Sequence, residues 1–142
     1  MLITFPLKVA IVDDDIIQTK LISGFLKEVP DLAPHVFNDP VEAMTAIEAG
    51  GFRLIITDLK MEALSGDDLV RRCCELRGGM QILVVTGTDH LMSAIRCFNA
   101  GAQRIIRKPI DKKELVEAVQ SSVDHFKAFN ETVRAIKSKK AS

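Results

Sequence analysis

The chain has 142 residues, 47% hydrophobic and 27% charged, which suits one globular domain and excludes a disordered one. Its 19 basic and 19 acidic side chains cancel to zero formal charge, so there is no bulk electrostatic case for nucleic acid or a membrane surface. No run is long enough to span a bilayer, and the start, MLITFPLK, lacks the charged-then-apolar order of a signal peptide.

In chain order, residues 8 to 12, KVAIV, read as a buried strand that ends at Asp13-Asp14-Asp15. Helical spacing follows through Ile17, Leu21, Ile22, Phe25 and Leu26, and stops near Pro30. A second strand covers about 33 to 37. Asn38 and Asp39 then offer a cap, with Pro40 suited to the first helical position. That helix runs to Gly50-Gly51. The third strand is the β-branched run before Asp58. Ser65 and Gly66 lie in the loop after it, and the third helix carries Leu69, Val70, Cys73, Cys74 and Leu76. Asp67 and Asp68 fit that helix's first turn, where negative charge suits the dipole. Gly78-Gly79 breaks the chain before a fourth strand, QILVVT. Asp89 is placed to cap a fourth helix with Met92, Ile95 and Phe98 on one face, ended by Gly101. Residues 103 to 107 form a fifth strand, Lys108-Pro109 is a candidate cis bond, and Asp111 opens the last helix.

Five strand–helix units with right-handed crossovers give an α/β fold: a doubly wound five-stranded parallel sheet, flavodoxin-like, in the order 2-1-3-4-5. In that order the ends of strands one, three and four are neighbours. Asp13, Asp14, Asp58 and Thr86 therefore converge, and strand five adds Lys108. Close carboxylates repel unless a cation sits among them. All-oxygen ligands suit Mg²⁺. A hydroxyl and an ammonium beside such a site suit a phosphoryl group. Taken singly, each residue has a plainer use. Asp13 and Asp15 fit helix caps, Thr86 a strand-end hydroxyl, and Lys108 a solvated amine. His35, His90 and His125 share no metal-ligand spacing. Cys73 and Cys74 cannot bridge inside a helix, Cys97 fits a core position, and reduced thiols fit the cytoplasm.

The joint pattern resembles the receiver domain of two-component response regulators, over about residues 6 to 127. The resemblance is carried by IVDDD, by TDLKM with Gly66 eight residues after Asp58, by VVTG and by RKP. The spacings are 44 residues from Asp14 to Asp58, 28 to Thr86 and 22 to Lys108. It implies that Asp58 accepts a phosphoryl group from a phosphohistidine of a sensor histidine kinase or a histidine phosphotransfer protein. It implies that Asp14 binds Mg²⁺ directly, Asp13 mostly through water, and the backbone carbonyl of Lys60 as a third protein ligand. Thr86 and Lys108 would hold phosphoryl oxygens, and Gly87 would leave room for their entry. Such a chain is a switch that dephosphorylates itself, not a conventional enzyme. Two positions depart from the family. Glu62 stands where proline is common, and Ile105 stands where an aromatic ring usually relays the change from the threonine, so Thr86 and the loop before the fourth helix, with Thr88 and Asp89, are expected to carry that change instead.

Two other readings compete. A haloacid-dehalogenase-type Mg²⁺ phosphohydrolase would use Asp13 as nucleophile with Asp15, but needs a later acidic pair and a substrate cap. A receiver-like scaffold would bind partners without phosphorylation and without Mg²⁺. No nucleic-acid module follows residue 127, so the expected target is a downstream protein or an output domain elsewhere. The last helix is expected to outrun the receiver domain of residues 1–127. An extension over 128–142 continues the stripe Phe126, Phe129, Val133 and Ile136, which lacks a core of its own, and ends in the solvated KSKK. Four such side chains favour association, in a homodimer or with an output segment.

Overall fold

The computed structural model describes residues 2–76, 79–87 and 89–141. The strands are β1 (Leu7–Val12), β2 (Leu32–Phe37), β3 (Phe52–Asp58), β4 (Gln81–Thr86) and β5 (Arg104–Arg107). The helices are α1 (Ile16–Phe25), α2 (Pro40–Glu48), α3 (Gly66–Glu75), α4 (Leu91–Ala100) and α5 (Lys112–Ala141), with a 3₁₀ turn at Leu26–Glu28. All strands are parallel, in one sheet ordered β2-β1-β3-β4-β5. This is the expected flavodoxin-like order.

Alternation along the strands builds two cores. Val9 and Ile11 of β1, Leu54 and Ile56 of β3 and Leu83 and Val85 of β4 point to α1 and α5, where Ile22, Leu115, Val119 and Val123 cover them. Ala10, Val12, Ile55, Ile82 and Val84 point the other way, onto Met44 and Ile47 of α2, Leu69 and Val70 of α3 and Cys97 of α4. Burial on both faces explains why these strands read as continuous apolar runs.

Capping sets the helix starts. Asp15 accepts from the Ile17 N–H, and Asp39 from Val41 with Pro40 in the first turn. Ser65 accepts from Asp68 N–H, and Asp67 and Asp68 lie in the first turn of α3. Asp111 accepts from the Lys113 N–H at the start of α5. Asp89 does not cap α4 as expected. His90 holds the N-cap position without a side-chain bond, and the Asp89 carboxylate turns instead to the His90 ring, 3.6 Å away. Gly78 and Thr88 lie outside the described residues. Asn38 is no cap either. Its amide braces β1, donating to the Asp13 carbonyl at 3.0 Å and to the Thr19 hydroxyl at 2.9 Å.

Shared helical faces are not always covered ones. Met92, Ile95 and Phe98 do lie along α4, yet all are exposed, as is Ile17 on α1. The reverse holds on α5. Phe126, expected to lack a core, is 2% exposed and belongs to the main apolar cluster. Beyond it, buried Asn130 pairs with the backbone of Ile3. Its Oδ1 accepts from the Ile3 N–H at 2.8 Å, and its Nδ2 donates to the Ile3 carbonyl at 2.9 Å. An ion pair between Lys127 and Asp31, at 2.7 Å, adds to this. The N-terminal arm thus anchors a 30-residue helix that is about 45 Å long.

The three cysteines are free. Burial pushes the Cys73 thiol up to about 12 and the Cys97 thiol up to about 11. Cys74 is exposed. In iodoacetamide at about pH 8 the folded chain should therefore take one label, at Cys74, with the others reacting only on unfolding, because the thiolate is the nucleophile. Mass mapping checks this, and early labelling of Cys73 would contradict it. Both buried thiols have folded values above the ordinary 9.0. Their contribution to stability is thus full below about pH 9 and is lost as pH rises through those folded values.

Candidate functional site

The carboxyl ends of β1, β3, β4 and β5 open on one crevice, the usual place for a ligand in an open α/β sheet. β1 delivers Asp13 and Asp14. Asp13 is buried, and its Oδ1 accepts the Asp15 N–H at 2.9 Å, while Asp14 faces solvent. β3 delivers Asp58, also buried, whose Oδ1 accepts the Leu59 N–H at 2.8 Å. Carboxylate oxygens of Asp13, Asp14 and Asp58 lie within 4.8 Å of one another. Among the described residues this is the acidic group with the geometry to hold a metal ion. Its all-oxygen, multiply charged donor set fits a hard divalent cation.

β5 delivers Lys108 across the crevice. The Lys108-Pro109 bond is cis, as the sequence suggests. The Lys108 N–H donates to the Thr86 carbonyl at 2.7 Å, which ties the ends of β4 and β5 together. Lys108 Nζ stands 3.3 Å from Asp13 Oδ2 and 3.3 Å from Asp58 Oδ2. Burial works against the ammonium, but the Asp58 and Asp13 charges outweigh it and hold the amine above its usual range. Asp13 is held above the usual carboxylate range, chiefly by burial and further by Asp58, against the pull of the Asp15 amide and of Lys108. The crevice therefore carries an excess of negative charge that one ammonium does not cancel.

Thr86 is buried at the end of β4, with its hydroxyl donating weakly to the Gly87 carbonyl at 3.3 Å. Lys60 lies in the loop two residues past Asp58 with its side chain exposed, and Glu62 is exposed in the same loop. Gly66 fixes that loop. Its N–H donates to the Leu59 carbonyl at 2.9 Å, and a Cβ on it would lie 2.1 Å from the Asp58 carbonyl oxygen. Ile105, half-buried on β5, faces Ala94, Ile95 and Phe98 of α4 across a groove of about 420 Å³ that reaches Thr86.

Sequence reasoning missed Asn38 and Thr19, which brace the Asp13 backbone from behind. The only signal available was a pair of polar side chains at positions that also suit caps and helix faces.

Over residues 9–120 the chain matches the family described as response regulator receiver domain. It is 31% identical over 113 residues to the transcriptional regulatory protein FlgR of Helicobacter pylori, covering 80% of this chain and 29% of that protein. It is 31% identical over 75 residues to the transcriptional regulatory protein FixJ of Rhizobium meliloti, covering 53% of this chain and 37% of that one. The chain thus spans only about a third of the length of each relative. A CheY-like receiver domain protein from Methanospirillum hungatei superimposes with a TM-score of 0.78 at 27% identity, over 86% of this chain and 97% of that one. The phosphohydrolase alternative finds no support beside these matches. Sheet order, the placing of the acidic crevice and the sequence similarities agree: the chain belongs to the receiver domains of two-component response regulators.

Proposed function

We propose that the chain is a phosphorylation-driven signalling switch in which Asp58 accepts a phosphoryl group from a phosphohistidine of a sensor histidine kinase or a histidine phosphotransfer protein. The observation that carries this is the crevice itself: three carboxylates within 4.8 Å and one ammonium 3.3 Å from two of them. Asp13, Asp14, Asp58 and the backbone carbonyl of Lys60 would hold Mg²⁺, which when bound neutralises the charge that phosphoryl transfer concentrates. A carboxylate oxygen of Asp58 forms the new P–O bond as the P–N bond to the donor histidine breaks, and that ring nitrogen takes up a proton. Lys108 trades its bond to Asp58 for one to the incoming phosphoryl oxygens. The Thr86 hydroxyl turns from the Gly87 carbonyl to a second oxygen. Hydrolysis by water later restores Asp58, so the chain dephosphorylates itself.

In this reading residues 1–127 are the switching unit and 128–142 its helical extension. The switch works in the cytoplasm and acts through a downstream protein or an output domain. Ile105 has no ring to swing, so the change at Thr86 passes to the start of α4, at Asp89 and His90, along the groove it already lines.

Two measurements test the reading. The full chain is treated with Mg²⁺ and acetyl phosphate, reduced with borohydride, and mapped by mass. Modification at Asp58 is expected. Modification at Asp13, or none at all in a chain that binds Mg²⁺, overturns the assignment, and a chain that binds no Mg²⁺ is the unphosphorylated scaffold. In the second, beryllofluoride with Mg²⁺ should shift the amide signals of Asp89, His90 and Leu91. A change centred on Ile105 with those residues unmoved would contradict the route.

A further inference from the structure

At the end of the sheet opposite the crevice, α5 and the N-terminal arm form a second surface. Leu2, Phe129 and Ile136 are 37%, 48% and 54% exposed there, and Val133 between them is half-buried. A hollow of about 170 Å³ opens beside Phe129, lined by Leu2, Ile3, Arg53, Gly79, His125 and Phe126 and mostly apolar. It has room for one large apolar side chain. The bonds from Asn130 to Ile3 and from Lys127 to Asp31 hold the helix rigid where this surface starts. Phe129 and Ile136 on the anchored helix, with Leu2 of the arm beside a mostly apolar hollow, are the ingredients of an interaction site.

Charge decides what fits. At 3.6 residues per turn, Lys137 and Lys140 fall on the side of Phe129, Val133 and Ile136, whereas Asp124 and Glu131 fall on the opposite side. A two-fold contact presents the same patch from both copies. A second copy would therefore bring lysines towards lysines and offer no acid in return. A bilayer would meet only three apolar side chains, and it has no projecting group to fill the hollow.

We infer that this surface docks an amphipathic helix of another protein, one whose apolar stripe is flanked by acidic residues and whose largest apolar side chain seats in the hollow beside Phe129. The site lies at the amino ends of the strands, so its occupant leaves the Asp58 crevice open to a phosphoryl donor. The inference stands independently of the chemistry at Asp58.

The probe is a labelled helical peptide of about three heptads with leucine along its stripe and glutamate at the flanking positions. A twin peptide carries lysine in place of glutamate. With the full chain, fluorescence anisotropy should show binding of the glutamate peptide, weakened by added salt, and at least tenfold weaker binding of the lysine twin. Phe129→Ser should weaken the glutamate peptide at least tenfold. Lys137→Glu with Lys140→Glu, both at exposed positions, should reverse the preference between the peptides. Glu131→Lys on the far side should change neither. Sedimentation should show a monomer, and vesicles of phosphatidylcholine and phosphatidylglycerol should not carry the chain down. No binding of the glutamate peptide, equal binding of the twin, a dimer dispersed by Phe129→Ser, or vesicle binding abolished by the lysine reversals would each overturn the inference.

Discussion

Asp58→Asn is expected to reduce phosphate incorporation from acetyl phosphate to background, while Lys108→Ala and Asp14→Ala fail for different reasons. Asparagine keeps the shape of residue 58 and its bond from the Leu59 N–H, which is 2.8 Å long, but removes the nucleophile and one negative charge. Lys108 is the cation already placed 3.3 Å from both buried carboxylates. Its removal leaves Asp13 and Asp58 without their counter-charge, so the metal-free fold should lose stability. A divalent cation would then compete with no ammonium, and Mg²⁺ affinity should be unchanged or slightly tighter. Phosphorylation should fall all the same, because the lysine's contact with the phosphoryl oxygens is gone. Asp14 is exposed and contributes charge to the cluster without holding the fold. Asp14→Ala should leave stability near the parent's and weaken Mg²⁺ by about tenfold or more, ~1.4 kcal/mol per decade. The chain has no Trp or Tyr, so metal binding is best read by calorimetry. A loss of Mg²⁺ affinity in Lys108→Ala as large as in Asp14→Ala would show that the roles are misassigned.

Gly66→Ala should be the most damaging small substitution near the crevice. The added methyl would lie 2.1 Å from the Asp58 carbonyl oxygen and 2.5 Å from the Leu59 Cα. Both are backbone atoms, so no side chain can swing aside. The loop must shift, and it holds the peptide that carries Asp58 and the Leu59 N–H. Overpacking of this kind costs roughly 3 kcal/mol, which for a chain of this size lowers the melting temperature by about 10 °C. Phosphorylation should slow by more than that loss explains, since the acceptor itself is displaced. Thermal melts and labelling rates on the same samples check it. A melting point within a degree of the parent would show that the loop gives freely. Gly87 makes the contrast: among the described residues a methyl there meets the Asp89 carboxylate, at 3.2 Å, the end of a side chain that is exposed and can turn aside.

The strands, their order and the crevice could be read from the sequence because each depends on local pattern and on topology rules. Asp13, Asp14, Asp58, Thr86 and Lys108 stand directly after apolar runs, and a parallel sheet brings such positions to one edge. Helix faces were harder. Spacing tells which side chains share a face, but not what covers it. Phe98 and Phe126 sit in similar stripes, yet one is exposed and the other is in the core. The difference is that α5 shares the core on one sheet face with α1 and is tied to the arm through Asn130, while the outer side of α4 has no neighbour among the described residues. Asn130 gave no signal at all. Its partner is the backbone of Ile3, and backbone groups look alike in every sequence. Asp89 misled because an acid before a helix usually caps it. Here the Asp89 side chain lies 3.6 Å from the His90 ring instead, and His90 takes the N-cap position.

The arm and α5 also set the timing of folding during synthesis. Ile3 and Asn130 are 127 residues apart, and ribosomes add ~5–20 residues per second. Ile3 is therefore added to the chain roughly 6–25 s before its partner. Through that interval the faces of Leu7, Val9 and Ile11 have only the α1 side of their cover and lack α5. A nascent chain shows them to any chaperone nearby, and a stalled ribosome prolongs that exposure. The helix made last closes the strand made first, so a chain cut at residue 120, where the family match ends, would lack Val123, Phe126 and Asn130 and could not close its own core.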